Sequence, residues 1–131
     1  MKSKRDKQLT ILVVEDEPTV RALSESIIET LGYKTLSAAT AREAIALLEQ
    51  EKSVDLLFTD INIPDGPDAI DGLELARNAV ELRPGLHVIY TTGGGKTDGM
   101  DALFVEGAVF LAKPFTNDQL IDAVTEALKD H

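Results

Sequence analysis

The stretch Leu9-Thr10-Ile11-Leu12-Val13-Val14-Glu15-Asp16-Glu17-Pro18 decides the fold. Its residues from Leu9 to Val14 are almost all aliphatic or β-branched, which is typical of a strand that is covered on both faces. Acidic residues and a proline end this strand. Apolar residues then recur at helical spacing from Val20 to Leu31, and Gly32 ends the helix. A strand, an acidic strand end and an amphipathic helix thus follow one another.

The same alternation continues along the chain. Further strands are predicted at Tyr33–Ala38, Val54–Thr59, Leu86–Thr91 and Ala108–Ala112. Helices follow each of them, and two of these begin with the spacing of a capping box, at Thr40 with Glu43 and at Thr116 with Gln119. Residues 98–106 have only a short apolar face, so a short, mobile helix is predicted there. The pattern is therefore one of repeated strand–helix units.

Regular strand–helix alternation predicts an α/β fold with a parallel sheet, because parallel neighbours need long crossover connections. The expected form is a doubly wound five-stranded parallel sheet with strand order 2-1-3-4-5, the (βα)5 arrangement of flavodoxin-like folds. A chain of 131 residues suits one such domain. We expect the domain to span residues 9–131, with residues 1–8 forming a flexible basic tail.

Composition excludes several classes of function. The 13 basic and 23 acidic residues give a net charge of -10, which argues against direct binding of nucleic acid. The chain has no cysteine, so disulfides, thiolate metal sites and cysteine nucleophiles are excluded. The sequence has no apolar stretch of the length of a signal peptide or a membrane span. A soluble, cytoplasmic protein is expected.

Chemically useful side chains follow the predicted strands, at the point where each strand ends. Glu15, Asp16 and Asp60 end the first and third strands, which are neighbours in the expected order. Repulsion among these carboxylates can be relieved by protonation, with a raised pKa, or by a divalent cation. We expect an exposed cluster, which favours the cation. Oxygen ligands suit Mg²⁺, and the peptide carbonyl of Asn62 is a further candidate ligand.

A cationic and hydroxylic group of residues lies at the ends of the last two strands. Lys113 ends the fifth strand and is expected to reach Asp60, while Thr92 and the amide of Gly93 end the fourth. A carboxylate can attack phosphorus to form an aspartyl phosphate when a metal and a lysine neutralise the phosphoryl oxygens. The combination suits a phosphoryl group on Asp60.

Five segments, in order, resemble the receiver domains of bacterial two-component response regulators. The resemblance extends from about Leu9 to Leu128 and is strong because the motifs occur together. The segments are Ile11–Pro18, Thr59–Pro64, Asp71–Glu74, Val88–Gly93 and Lys113–Phe115.

This resemblance implies a role for each candidate residue. Asp60 would accept a phosphoryl group from a histidine kinase or a histidine phosphotransfer protein, and the domain would catalyse only its own phosphorylation and dephosphorylation. Phosphorylation would change a surface that binds a downstream protein target. Members often form homodimers through that surface, and the residues leave open whether this chain does. The implied Mg²⁺ ligands are Glu15, Asp16, Asp60 and the Asn62 carbonyl, the phosphoryl-binding residues are Thr92 and Lys113, and the switch residues are Thr92 and Phe110.

The chain also departs from the family pattern. Residues 65–70 enlarge the loop beside the site, and Phe110 lacks the hydroxyl group of a tyrosine at the aromatic switch position. The stretch Gly93–Thr97 is not a nucleotide-binding loop, because Tyr90 stands where such a loop needs a glycine.

Two alternatives to a receiver remain. One is a metal-dependent phosphatase with an aspartyl-phosphate intermediate, although Asn62 occupies the position of the second aspartate in the usual Asp-x-Asp signature. The other is a binding module that never carries phosphate, which the intact set of acids, Thr92 and Lys113 argues against.

Overall fold

A computed structural model of the chain describes residues 8–51, 53–63, 70–97 and 99–129. The predicted basic tail, except Gln8, and most of the enlarged loop lie outside these residues. The strands are β1 (Thr10–Val14), β2 (Lys34–Ala38), β3 (Leu56–Asp60), β4 (His87–Thr92) and β5 (Val109–Ala112). Within the described residues the α-helices are α1 (Pro18–Thr30), α2 (Ala41–Gln50), α3 (Gly72–Leu82) and α4 (Asn117–Leu128).

The strands form one five-stranded parallel sheet in the order β2-β1-β3-β4-β5, which confirms the predicted doubly wound topology. Successive side chains of a strand point to opposite faces, so a strand covered on both sides has to be continuously apolar. In β1, Leu12 and Val14 join the core that includes α2 and α3. Ile11 and Val13 join the second core, with α1 and α4.

Side chains at the helix N-termini define where the helices begin. Thr116 and Gln119 form the predicted capping box of α4. At α2 only half of the predicted box forms: the Thr40 hydroxyl accepts from the Glu43 N–H, but the Glu43 carboxylate accepts from the Ala39 N–H. No helix within the described residues is long and apolar enough to cross a lipid bilayer.

The connection between β4 and β5 differs from the other connections. A short helix was predicted over residues 98–106, and the described part of this segment contains one 3-10 helix at Met100–Leu103. Gly99 precedes it in a left-handed conformation with φ of 80°, and no residue of the 3-10 helix is buried. The helix is shorter than predicted because its few apolar side chains do not provide a continuous face for burial.

Candidate metal and phosphoryl site

The strand register brings the predicted site residues to one edge of the sheet. Val14 of β1 pairs with Thr59 of β3, so Glu15 and Asp60 follow side by side. Thr92 of β4 pairs with Ala112 of β5, and the next residue, Lys113, donates its backbone N–H to the Thr92 carbonyl at 3.1 Å. The site therefore lies at the carboxyl ends of the strands, where doubly wound sheets bind ligands.

The three predicted carboxylates meet as expected. One oxygen each from Glu15, Asp16 and Asp60 lies within 4.8 Å of the others. The prediction of an exposed cluster is wrong for two of them, because Glu15 is 4% and Asp60 is 5% exposed, whereas Asp16 is exposed. Lys113 contacts both buried carboxylates, and the Glu17 N–H donates to Glu15 Oε2 at 3.1 Å.

Lys113 connects two of the carboxylates. Its Nζ lies 2.6 Å from Glu15 Oε1 and 2.7 Å from Asp60 Oδ2. Burial alone would lower the pKa of Lys113, but the hydrogen bonds to Asp60 and Glu15 outweigh burial and raise that pKa. Burial raises the pKa of the Glu15 carboxyl, and Lys113 and the Glu17 N–H oppose this only in part. The lysine is therefore charged at neutral pH and partly neutralises the cluster.

The donor set fits a divalent cation with a preference for oxygen. Three carboxylates against one ammonium group leave a formal excess of two negative charges. Hard cations such as Mg²⁺ bind such carboxylate oxygens and keep several water ligands. The exposed carboxylate of Asp16 leaves one side of the cluster open to solvent. Glu15, Asp16 and Asp60 are thus chemically suited to hold Mg²⁺.

Thr92 lies beside the carboxylates and is 2% exposed. Its hydroxyl oxygen accepts hydrogen bonds from Asn62 Nδ2 at 3.0 Å and from the Gly94 N–H at 3.3 Å. The Asn62 backbone N–H donates to Asp60 Oδ1 at 3.1 Å. Only the backbone carbonyl of Asn62 was predicted to act in the site, and the contact of its side chain with Thr92 was not predicted, although the place of Asn62 just after β3 and next to β4 was a usable signal.

Phe110 lies on β5 and connects to the core through stacked aromatic rings. The Phe104 ring centroid is 4.4 Å from that of Tyr90 and 6.0 Å from that of Phe110. Lys96 Nζ lies 5.6 Å from the Phe110 centroid. The fully buried Tyr90 accepts a hydrogen bond at its hydroxyl from the Val105 N–H at 3.0 Å. This aromatic stack of Tyr90, Phe104 and Phe110 was not predicted, because in a sequence an aromatic residue within an apolar strand cannot be told from any other core residue.

Gly72, at the start of α3, approaches the backbone of the site. Its N–H donates to the Ile61 carbonyl at 2.8 Å, and a Cβ added to it would lie 2.1 Å from the Asp60 carbonyl oxygen. Only a glycine allows this approach. The start of α3 therefore fixes the backbone that carries Asp60.

The fold and the site define a doubly wound α/β domain with a lysine-bridged acidic cluster at its switch point. Residues 11–125 match the response regulator receiver domain family, and the chain belongs to this family. Receiver domains of two-component response regulators bind Mg²⁺ and interact with histidine kinases and downstream effector domains. The phosphatase alternative is not favoured.

Named relatives and solved structures agree with this assignment. The chain is 31% identical over 119 residues to Sporulation initiation phosphotransferase F of Bacillus subtilis, with 90% of this chain and 92% of the relative covered. It is 31% identical over 120 residues to Transcriptional regulatory protein GlrR of Escherichia coli, covering 91% of this chain but 26% of that relative. The chain thus spans about a quarter of the length of GlrR. A CheY-like response regulator receiver domain protein from Methanospirillum hungatei superposes with a TM-score of 0.84 at 31% identity, with 95% and 96% of the two chains covered.

Proposed function

We propose that Asp60 accepts a phosphoryl group from the phosphohistidine of a histidine kinase or a histidine phosphotransfer protein. The observation that carries this proposal is the pair of contacts from Lys113 Nζ to Asp60 and Glu15, at 2.7 and 2.6 Å, within an acidic cluster at the strand ends. A buried carboxylate with an adjacent cation can act as a nucleophile toward phosphorus. The receiver unit would comprise residues 9–131.

In the transfer step, an oxygen of the Asp60 carboxylate attacks phosphorus. The phosphorus–nitrogen bond of the donor breaks as the phosphorus–oxygen bond forms, and the electron pair leaves with the imidazole nitrogen. Lys113 and the Thr92 hydroxyl donate hydrogen bonds to the phosphoryl oxygens. The hydrogen bond that the Asn62 backbone N–H donates to Asp60 Oδ1 orients the carboxylate.

Glu15, Asp16, Asp60 and the Asn62 carbonyl are the proposed ligands of Mg²⁺. When bound, this ion supplies positive charge that neutralises the phosphoryl oxygens. Side chains of the chain make two further contributions to the transfer. Lys113 provides a second positive charge. The burial of Glu15 and Asp60 keeps bulk water away from the nucleophile.

Phosphorylation would switch a surface formed by the 3-10 helix, β5 and α4. Thr92 would move toward the phosphoryl group, and Phe110 would turn inward in response. The aromatic stack supports this proposal, because Phe110 packs against Phe104 in the segment that follows Thr92. A downstream protein target would bind the changed surface, and the domain would turn over no substrate other than its own phosphoryl group.

Treatment with acetyl phosphate, followed by intact-mass measurement with and without Mg²⁺, tests the chemistry. We expect one phosphoryl group per chain, added only with Mg²⁺, and none on an Asp60→Asn variant. Asp122→Asn, which changes an exposed acid on α4, is the matched control and should be labelled as the wild type is. Labelling of the Asp60→Asn protein, or steady hydrolysis of an added phosphomonoester, would contradict the proposal.

The switch is tested separately with beryllofluoride, which mimics a phosphoryl group on an aspartate. With Mg²⁺ present, we expect it to shift the amide NMR signals from Thr92 to Phe110. We also expect Lys113→Ala to remove these shifts, because Lys113 contacts the phosphoacceptor directly. Beryllofluoride bound at Asp60 with no change between Thr92 and Phe110 would disprove the switch.

A further inference from the structure

The side chain of Asn62 connects the two halves of the site. Its backbone N–H donates a hydrogen bond to Asp60 Oδ1 at 3.1 Å, and its side-chain Nδ2 donates one to Thr92 Oγ1 at 3.0 Å. A backbone carbonyl ligand requires no particular side chain. The proposed metal ligation therefore does not explain the hydrogen bond from the side-chain amide of Asn62 to Thr92.

The two hydrogen bonds to Thr92 leave its hydroxyl proton available. A threonine hydroxyl has one donor and two acceptor positions, and Asn62 Nδ2 and the Gly94 N–H occupy both acceptor positions. In the described part of the chain no acceptor pairs with the proton. The arrangement thus restrains the oxygen of Thr92 while keeping the proton free for an incoming oxyanion.

The backbone beside Asn62 is itself fixed. The Ile61 N–H donates to the Thr91 carbonyl at 2.8 Å, and the Ile61 carbonyl accepts from the Gly72 N–H at 2.8 Å. The backbone next to Asn62 is thus held in place, so a Thr92 side chain displaced toward a phosphoryl group on Asp60 would lengthen its hydrogen bond to Asn62 Nδ2 unless the Asn62 side chain turned with it.

We propose that the Asn62 side chain is a positioning residue that restrains Thr92 in the unphosphorylated chain and so opposes the switch. The proposal rests on the function proposed above and deepens it. In the switched state the Thr92 hydroxyl would donate to a charged phosphoryl oxygen, and because such hydrogen bonds are roughly twice as strong as neutral ones, this contact offsets the loss of the one from Asn62. Asn62 thereby raises the population of the unswitched conformation, relative to the switched one, before phosphorylation.

The affinity for beryllofluoride, measured with saturating Mg²⁺, tests the restraint. Loss of one neutral hydrogen bond specific to the unswitched state predicts that Asn62→Ala binds beryllofluoride about three- to tenfold more tightly. The amide signals of Thr92 and Gly94 in the free variant should also move part of the way toward their positions in the bound wild type. Alanine keeps the backbone carbonyl and N–H of residue 62.

Two comparisons show whether the effect passes through Thr92. Asn78→Ala removes the half-buried asparagine side chain of α3, outside the proposed switch surface, and it should leave the affinity unchanged. In a Thr92→Ala background, Asn62→Ala should give no gain, because the restrained hydroxyl is absent. An equal gain in that background would show a merely structural effect and overturn the proposal.

The outcomes also separate this inference from the function it rests on. If the wild type binds beryllofluoride but Asn62→Ala binds it equally or more weakly, the restraint is wrong and the proposed function stands. Weaker binding would mean that the Asn62 amide contacts the phosphoryl group itself. If the wild type does not bind beryllofluoride with Mg²⁺, the proposed function fails, and the restraint is overturned with it.

Discussion

Helix α3 and the β4–β5 connection both adjoin the site, but they are packed in different ways. Five residues of α3 are buried, beginning with Gly72 against the Asp60 backbone. In the connection, none of the residues of the 3-10 helix is buried, and the apolar side chains that pack against the core, among them Met100, Phe104 and Val105, are only partly buried. The segment beside the proposed nucleophile is rigidly packed, while the segment beside the proposed switch depends on a few contacts.

This difference matches the two tasks of the proposed mechanism. A nucleophile has to be held in a fixed geometry, because small displacements are costly in catalysis. A switch has to rearrange, and segments with few buried contacts open at the lowest free energy. The contrast predicts that the same substitution will have unequal effects on the two sides.

The largest effect is expected from truncating a leucine on each side. Leu75 of α3 is 0% exposed and Leu103 of the 3-10 helix is 50% exposed. Leu75→Ala leaves a cavity and should lower the free energy of unfolding by about 2–5 kcal/mol, whereas Leu103→Ala should change it by less than about 0.5 kcal/mol. Urea unfolding of both variants measures this. A similar loss for both would mean that the connection is as well packed as α3.

Glycine substitutions give the next largest contrast. A Cβ at Gly72 would meet the Asp60 backbone at 2.1 Å, whereas one at Gly93 has nothing within 4 Å. Gly72→Ala should therefore destabilise the protein by about 1–3 kcal/mol or more, and Gly93→Ala by less than about 0.5 kcal/mol. Thermal unfolding of the two variants measures the difference. Equal melting temperatures would show that the start of α3 yields easily.

Removal of the Tyr90 hydroxyl should have a smaller effect that depends on pH. Tyr90→Phe leaves the Val105 N–H without its acceptor, which should cost about 1 kcal/mol at neutral pH and speed hydrogen exchange at that amide. Burial raises the pKa of the Tyr90 phenol above its ordinary value of 10.0. The folded chain therefore holds this proton more tightly than the unfolded chain does.

The sign of the pH dependence follows from that pKa. As the pH rises above about 10, the unfolded chain ionises this phenol first, so the free energy of unfolding falls. Tyr90→Phe should flatten this decline, measured by urea unfolding between neutral pH and pH above 10. Tyr33→Phe removes the other tyrosine and serves as the control. An unchanged slope in Tyr90→Phe would show that the phenol does not ionise upon unfolding.

The smallest effect is expected at Lys96. Its ammonium lies 3.0 Å from Asp101 and 5.6 Å from the centroid of the Phe110 ring, but the charged side chains of Lys96 and Asp101 are 44% and 70% exposed. Solvent-exposed pairs contribute little, so Lys96→Met should lower the free energy of unfolding by less than about 1 kcal/mol. A larger loss, which added salt removes, would mean that this charge stabilises the connection more than its exposure suggests.

Much of the fold could be predicted because its signals are local. The apolar run before Glu15 and the capping residues Thr116 and Gln119 each define an element without reference to the rest of the chain. Strand order then follows from the rules for doubly wound sheets, and it brings Glu15, Asp60 and Lys113 together. The proximity of these distant residues could thus be predicted from the sequence.

Features that depend on the direction of a side chain and on its burial by distant residues could not be predicted from the sequence. Sequence pattern does not reveal which atoms cover a strand end, so the burial of Glu15 and Asp60 was missed. The contact from Asn62 to Thr92 joins the segment after β3 to the end of β4, at a separation of 30 residues. The length of the helix after Gly99 depended on how many of its apolar side chains the core would bury, and none within Met100–Leu103 is buried.

The position of Tyr90 has a practical consequence. The chain contains no tryptophan and two tyrosines, Tyr33 and Tyr90. A Tyr33→Phe protein would retain a single tyrosine, whose ring stacks on Phe104 in the segment that is proposed to rearrange. Its ultraviolet emission would therefore act as an intrinsic, label-free fluorescent reporter, suited to following the rearrangement in real time by stopped-flow mixing.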